Sequence, residues 1–221
     1  MDNTEILRLS SEILEISEKP NIPVKLPPII EGMNKEGIQI LLTDLYRKVV
    51  VNRGNVFESI AGKEMAENIE QTAQWMLGPW VKTSLLLQGT VGSGKTSLMD
   101  ALYNLYHKSF SRIYKCDALF VFKQYKAMLN KEPSMYEELK KANYLFLNDL
   151  GIEPAQCRDY SEDYTPVPEL IYDRYERQRP TVISTNLSDQ QLVERYGKRI
   201  LDRFKEMCEK IVFTGPSYRK W

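Results

Sequence analysis

Gly89-Thr90-Val91-Gly92-Ser93-Gly94-Lys95-Thr96, followed by Ser97, carry the clearest chemistry in this chain. A glycine, four residues and then Gly-Lys-Thr is the spacing of a phosphate-binding loop. Glycines let backbone N–H groups turn inward around phosphate oxygens. A helix opening just beyond adds partial positive charge. In such a loop Lys95 reaches the β- and γ-phosphates and the Thr96 hydroxyl ligates Mg²⁺. The implied ligands are ATP or ADP with Mg²⁺. As a mobile charge, Lys95 is expected to be solvent-exposed before a nucleotide binds.

Four further stretches hold groups suited to the same chemistry. Leu145-Phe146-Leu147-Asn148-Asp149-Leu150-Gly151 is an apolar run ending in polar residues. Beside a phosphate loop, carboxylates at a strand end hold Mg²⁺ and polarise the attacking water. Asn, Asp and Gly are also common turn residues. The β-branched run Thr181-Val182-Ile183-Ser184 ends in Thr185-Asn186. Ligands of parallel sheets gather at the carboxyl ends of strands, so Asn186 can orient water or a γ-phosphate. It can also cap a helix, although Ser188 or Asp189 could do so instead. Arg199 and Arg203 are four residues apart, on one helix face. Either could serve a neighbour's nucleotide as an arginine finger, where surface solvation is the default. The last stretch is Ser217-Tyr218-Arg219-Lys220-Trp221. Arg174, Arg177 and Arg179 form a possible phosphate patch or an ordinary solvated helix face.

The elements that must position these groups can be read from periodicity. Residues 81–88 read as a buried strand before the phosphate loop, and 95–106 as the helix after it. Helices are expected at 65–76, from Asp117 to about 130, and at 134–141, 169–177, 189–196 and 198–208. Strands are expected at 112–116, 144–147, 181–184 and 211–213. Residues 152–168 read as a long irregular segment, a length usually functional or mobile. Alternating strands and helices with short connections imply an α/β fold with a parallel, helix-flanked sheet. The first ~55 residues differ. Ile6, Leu9, Ile13 and Ile16 suggest a helix at 4–19, and Pro20, Pro23, Pro27 and Pro28 then interrupt it. A second helix is expected near 35–51, with Ile38, Leu41, Leu42 and Leu45 on one face, before an Arg53-Gly54-Asn55 turn. Residues 1–54 are therefore expected to form a small helical arm that docks or meets a partner, and 55–221 the main domain.

Composition excludes several classes. At 221 residues, 43% hydrophobic and 27% charged, the chain can bury a sizeable core and is not wholly disordered. No apolar run approaches the ~18 residues of a membrane span. Met1-Asp2-Asn3-Thr4-Glu5 lacks a basic leader, and the three isolated cysteines match no zinc spacing, so a reducing cytoplasm is expected. Lys+Arg and Asp+Glu both total 30, so any nucleic-acid site must be a local patch.

From about residue 55 to 220 the chain resembles the AAA+ ATPases of the DnaC/IstB group, which are replicative-helicase loaders and transposition helpers. The phosphate loop alone is shared widely. The combination is specific: Asp149-Leu150-Gly151, Arg174-Tyr175, Pro180-Thr181, Thr185-Asn186-Leu187, Arg195-Tyr196-Gly197, Arg199, Arg203 and Ser217-Tyr218-Arg219. The resemblance implies a P-loop NTPase fold and ATP hydrolysis. It also implies ATP-dependent homo-oligomers that work on a replicative hexameric helicase and single-stranded DNA. By the same likeness Asn186 matches sensor 1, Arg203 the arginine finger with Arg199 as fallback, and Arg219 sensor 2. In loaders the N-terminal region commonly contacts the helicase. A transposition helper would share this core and differ in its partner. One departure stands out. The group's pattern has Asp at the position of Asn148, on the metal side, with the catalytic carboxylate at the position of Asp149. Asn keeps an acceptor oxygen and loses the charge. A slip by one residue would put Asp149 on the metal and Glu153 in the role of base.

Overall fold

Apolar segments form the strands at the centre of the molecule, leucine-rich at Ser84–Gly89 and Tyr144–Leu150 and β-branched at Thr181–Thr185. A computed structural model describes residues 27–57, 62–78, 82–159, 162–215 and 217. In chain order its strands are β1 (Ser84–Gly89), β2 (Ile113–Asp117), β3 (Tyr144–Leu150), β4 (Cys157–Asp159), β5 (Glu162–Tyr164), β6 (Thr181–Thr185) and β7 (Cys208–Phe213). Five make one sheet in the order β2-β3-β6-β1-β7, with every pairing parallel. The helices are α1 (Lys35–Asn52), α2 (Lys63–Leu77), α3 (Lys95–His107), α4 (Ala118–Leu129), α5 (Tyr136–Lys141), α6 (Pro166–Glu176), α7 (Asp189–Tyr196) and α8 (Lys198–Met207). The expected helix at 4–19 lies outside the described residues, as does Arg219.

Side chains alternate across the sheet and so build two cores. Leu85, Leu87, Phe146 and Val182 point to one face, among Leu42 and Tyr46 of α1, Ile69 of α2 and Leu102 of α3. Leu86, Leu145, Leu147 and Ile183 point to the other, among Val121 of α4, Leu170 of α6 and Phe204 of α8. Burial on both faces explains why β1 and β3 are nearly continuous apolar runs.

Helix α1 starts at Asn34, whose side chain accepts the Gly37 N–H at 2.9 Å. Its residues Ile38, Leu42, Tyr46, Val49 and Val50 are all buried in the first core. Between residues 35 and 52, then, the expected arm is continuous with the main domain's core. The irregular segment at 152–168 also differs from expectation. It contains the β4–β5 hairpin, with Cys157 paired to Tyr164, and the first turn of α6. Charged, short hairpin strands lack the apolar alternation that signals a strand. The last strand begins three residues earlier than expected, because Cys208 and Glu209 continue the ladder with β1.

Arg174 is fully buried. Its Nε donates to Thr181 Oγ1 at 2.8 Å and its Nη2 to Pro180 O at 2.6 Å. Its Nη1 donates to the carbonyls of Leu139 at 2.9 Å and Ala142 at 3.0 Å, where α5 ends. A cation is favoured at a helix C-terminus, where carbonyls lack partners. Burial lowers the guanidinium's pKa to about 9. Arg174 is thus removed from any surface phosphate patch, and Arg177 is paired with Asp173 at 2.9 Å.

Candidate nucleotide site

The phosphate loop leaves β1 at Gly89 and enters α3 at Gly94. Gly89 has φ +151°, and a Cβ there would lie 2.1 Å from Phe213 O. Gly92 has φ +84°, and a Cβ there would lie 2.2 Å from Ser217 Oγ. Both positions thus need glycine for conformation and for space. Thr90 Oγ1 donates to Gly215 O at 3.1 Å. Glu64 of α2 accepts from the N–H groups of Thr214 and Gly215. These bonds hold the segment after β7 against the loop.

Lys95 does not stand in solvent as expected. It is 4% exposed, and its Nζ donates to Gly89 O at 2.8 Å and Thr90 O at 2.6 Å. The loop's own carbonyls offset the cost of desolvating the ammonium. Residues 91–97, Asp149 and Asn186 line a cleft of about 120 Å³ that is open to solvent. Tyr46, Val50, Arg53 and Asn55 complete its wall. Tyr46, Val50 and Arg53 belong to the segment that sequence patterning assigned to the arm, and Asn55 is the first residue after it. The available signal was the spacing 46, 50 and 53, which lies along one helix face.

At the end of β3 the pairing with β6 slips between Leu147 and Leu150. Asp149 there adopts φ +53° and lines the cleft. Its N–H donates to Ser184 Oγ at 3.0 Å. Asn148 turns towards the loop. Its Oδ1 accepts from Thr96 Oγ1 at 3.2 Å and from Ser184 Oγ at 2.7 Å, while its Nδ2 donates to Asp149 Oδ2 at 2.8 Å. Glu153 is elsewhere. It is 3% exposed, accepts from Gly151 N–H at 2.9 Å and from the Tyr196 hydroxyl, and does not line the cleft. That carboxylate and burial together raise the Tyr196 pKa, burial being the larger cause.

Asn186 is exposed at the cleft, just past β6. Ser188 caps α7 through a capping box with Gln191, which leaves the Asn186 side chain out of that role. Arg203 lies away from its own chain's cleft. Its guanidinium sits 4.3 Å from the Tyr175 ring centroid, and Nη1 donates to the Tyr175 hydroxyl at 3.2 Å and Glu206 at 3.3 Å. Arg199 is exposed and sits 4.8 Å from the Tyr172 ring centroid. The cysteines are free, and burial pushes the Cys116 thiol up to about 12.

Oxygens of Thr96 and Asn148 converge next to the Asp149 carboxylate, a donor set that fits Mg²⁺ when phosphate oxygens and water complete the shell. Among the described residues, no three His, Cys, Asp or Glu side chains group to hold a metal without such help.

A phosphate loop on an inner strand of a five-stranded parallel sheet, with polar strand ends beside it, defines the class: the chain has the AAA+ P-loop NTPase fold. It is similar to the crystal structure of the DnaC helicase loader, with TM-score 0.54 and 22% identity over 69% of this chain and 92% of that one. It is similar to the crystal structure of DnaI, with TM-score 0.52 and 25% identity over 72% of this chain and 86% of that one. AMPPCP-bound DnaA from Aquifex aeolicus matches with TM-score 0.50 and 20% identity, over 68% of this chain and 47% of that one. No protein-family model and no curated protein matches the sequence.

Proposed function

We propose that this chain is an ATP-hydrolysing helicase loader of DNA replication. The observation behind it is the fold likeness to the DnaC helicase loader and DnaI, over most of the length of both. The cleft supports a nucleoside triphosphate as ligand, and the AMPPCP in the similar DnaA structure supports it further. The amides of residues 91–97 and Lys95 would bind phosphates. To do so Lys95 exchanges the carbonyls of Gly89 and Thr90 for phosphate oxygens. Tyr46, Val50 and Asn55 offer apolar surface and an amide to the base.

Thr96 and Asn148 would hold Mg²⁺, which neutralises charge on the phosphates when bound. Asp149 would accept a proton from the attacking water, and Asn186 would orient that water. This register is supported by the Thr96–Asn148 bond and by Glu153's distance from the cleft. In an ATP-dependent homo-oligomer Arg203 would meet a neighbour's γ-phosphate, and Arg219 would approach from the same chain. The partners would be a replicative hexameric helicase and single-stranded DNA in the cytoplasm, with the helicase contacted by the N-terminal region within residues 1–54. Among the described residues, no helix is long and apolar enough to cross a membrane.

Affinity capture with and without ATP, followed by mass spectrometry, tests the role. A hexameric helicase recovered only with ATP is expected, and a transposase in its place would redirect the assignment. Asn148 favours a second reading, an adaptor that binds ATP and scarcely hydrolyses it. Steady-state phosphate release distinguishes the two.

A further inference from the structure

Arg53 reaches the cleft from an unexpected direction. It closes α1, where its N–H donates to the carbonyls of Val49 and Val50 at 3.2 Å and Gly54 follows at φ +75°. The turn is pinned, so the docking of α1 aims the side chain. Its Nη1 donates to Ser97 Oγ at 3.1 Å and its Nη2 to Asp100 Oδ2 at 2.5 Å, both on α3. These bonds use two of the guanidinium's five N–H donors. The side chain keeps 42% of its exposure and lines the cleft.

Asp100 does not require Arg53 for neutrality. Its other oxygen takes Lys115 Nζ at 2.9 Å, so two cations share one carboxylate. One positive charge is left in excess beside the opening of α3. Ser97 lies two residues past Lys95, on the helix start whose amides cradle the α- and β-phosphates of a bound nucleotide. Lys95 itself serves the β–γ end. A planar fork with spare donors is suited to a phosphate oxygen.

We propose that Arg53 is a nucleotide ligand in cis, binding the α-phosphate side of a nucleoside di- or triphosphate and tying helix α1 to the phosphate loop when the site is filled. The proposal rests on the cleft being an ATP site.

Titrating fluorescent ATP and ADP analogues against the full chain and its variants tests it. Arg53→Ala should weaken ATP and ADP equally, by about tenfold, the loss of a charge-assisted hydrogen bond. Arg53→Lys should recover part of that loss. Asp100→Asn breaks the same ion pair from the other side and should leave both affinities within about twofold, because the phosphate contact survives. Hydrogen exchange should show α1 amides gaining protection with ADP in the wild type and not in Arg53→Ala.

Unchanged affinity in Arg53→Ala overturns the proposal. So does an Asp100→Asn loss equal to that of Arg53→Ala, which would make the pair purely structural. Loss for ATP alone would place Arg53 at the γ-phosphate and reject the assignment to the α side. Lys95→Ala separates the levels. If it loses binding while Arg53→Ala binds like the wild type, only the Arg53 role fails. If the wild type binds neither nucleotide, the ATP-site reading fails with it.

Discussion

Lys95 and Asn148 are the two residues whose surroundings change what their types alone suggest. Lys95 is already engaged by the carbonyls of Gly89 and Thr90. Binding must therefore exchange one set of acceptors for another, with phosphate charge as the gain. Lys95→Ala should abolish tight ATP binding and leave the thermal transition almost in place, since the freed carbonyls are on an open loop. An unchanged affinity by equilibrium titration would remove the phosphate-loop assignment. Asn148 donates to Asp149 at 2.8 Å and accepts from Thr96 at 3.2 Å. Asn148→Asp would turn that donor into a second carboxylate. Two adjacent carboxylates repel unless a cation lies between them. The variant should melt lower in EDTA than the wild type, and hydrolyse faster or at lower Mg²⁺. Asp149→Asn should lower turnover by ~10²–10⁴-fold, the usual contribution of a general base, with ATP still bound. A turnover series over Mg²⁺ decides the register. If Asp149→Asn mainly raises the Mg²⁺ requirement and Glu153→Gln stops turnover, the slipped register holds.

Helix α1 builds one wall of the site, and the end of α5 is held to the sheet by a buried cation. Leu42 of α1 is fully buried in the core that also holds Leu85 and Leu98. Leu42→Ala should cost about 2–5 kcal/mol in urea unfolding, the range for a core cavity. Because Tyr46, Val50 and Arg53 share that helix, the same change should also weaken nucleotide binding. A domain that unfolds at the wild-type midpoint would show that α1 is not part of the cooperative core. Arg174→Met keeps much of the side-chain volume and removes every donor. It strips partners from the carbonyls of Leu139, Ala142 and Pro180, and should cost about 3 kcal/mol or more. Comparable stability of the variant and the wild type would mean that water replaces the guanidinium there.

At the scale of the whole molecule, Arg203 and the cleft lie apart on one protomer, so a role for both in hydrolysis requires a neighbour. Arg203→Ala should leave ATP binding by isolated protomers nearly unchanged and lower turnover in the assembly by ~10³-fold or more, the scale of an arginine finger. Mixing it with Lys95→Ala should restore part of the activity, because one kind of boundary then has an intact loop and an intact finger. Mixtures no more active than either variant alone would count against a role in trans. Rescue by Arg199→Ala mixtures instead would move the finger one turn along α8. The held position of Arg203, over Tyr175 and against Glu206, sets the contacts that assembly must exchange.

Local pattern determined much of this protein. Gly-rich spacing, Lys95 and Thr96 announced the phosphate loop, and short apolar runs between amphipathic segments announced a parallel α/β sheet. Both are encoded within a few residues, so no distant contact is needed to read them. The order β2-β3-β6-β1-β7 is different in kind, because parallel pairing joins strands far apart in sequence. Only tertiary structure decided that residues 35–52 belong to the core, since an apolar helix face does not name what covers it. The same holds for Arg53 on Asp100, 47 residues away, and for Arg174 as an anchor and not a phosphate ligand. The turn of Asp149 into the cleft depends on a slip in register between β3 and β6, and register is a property of two strands together.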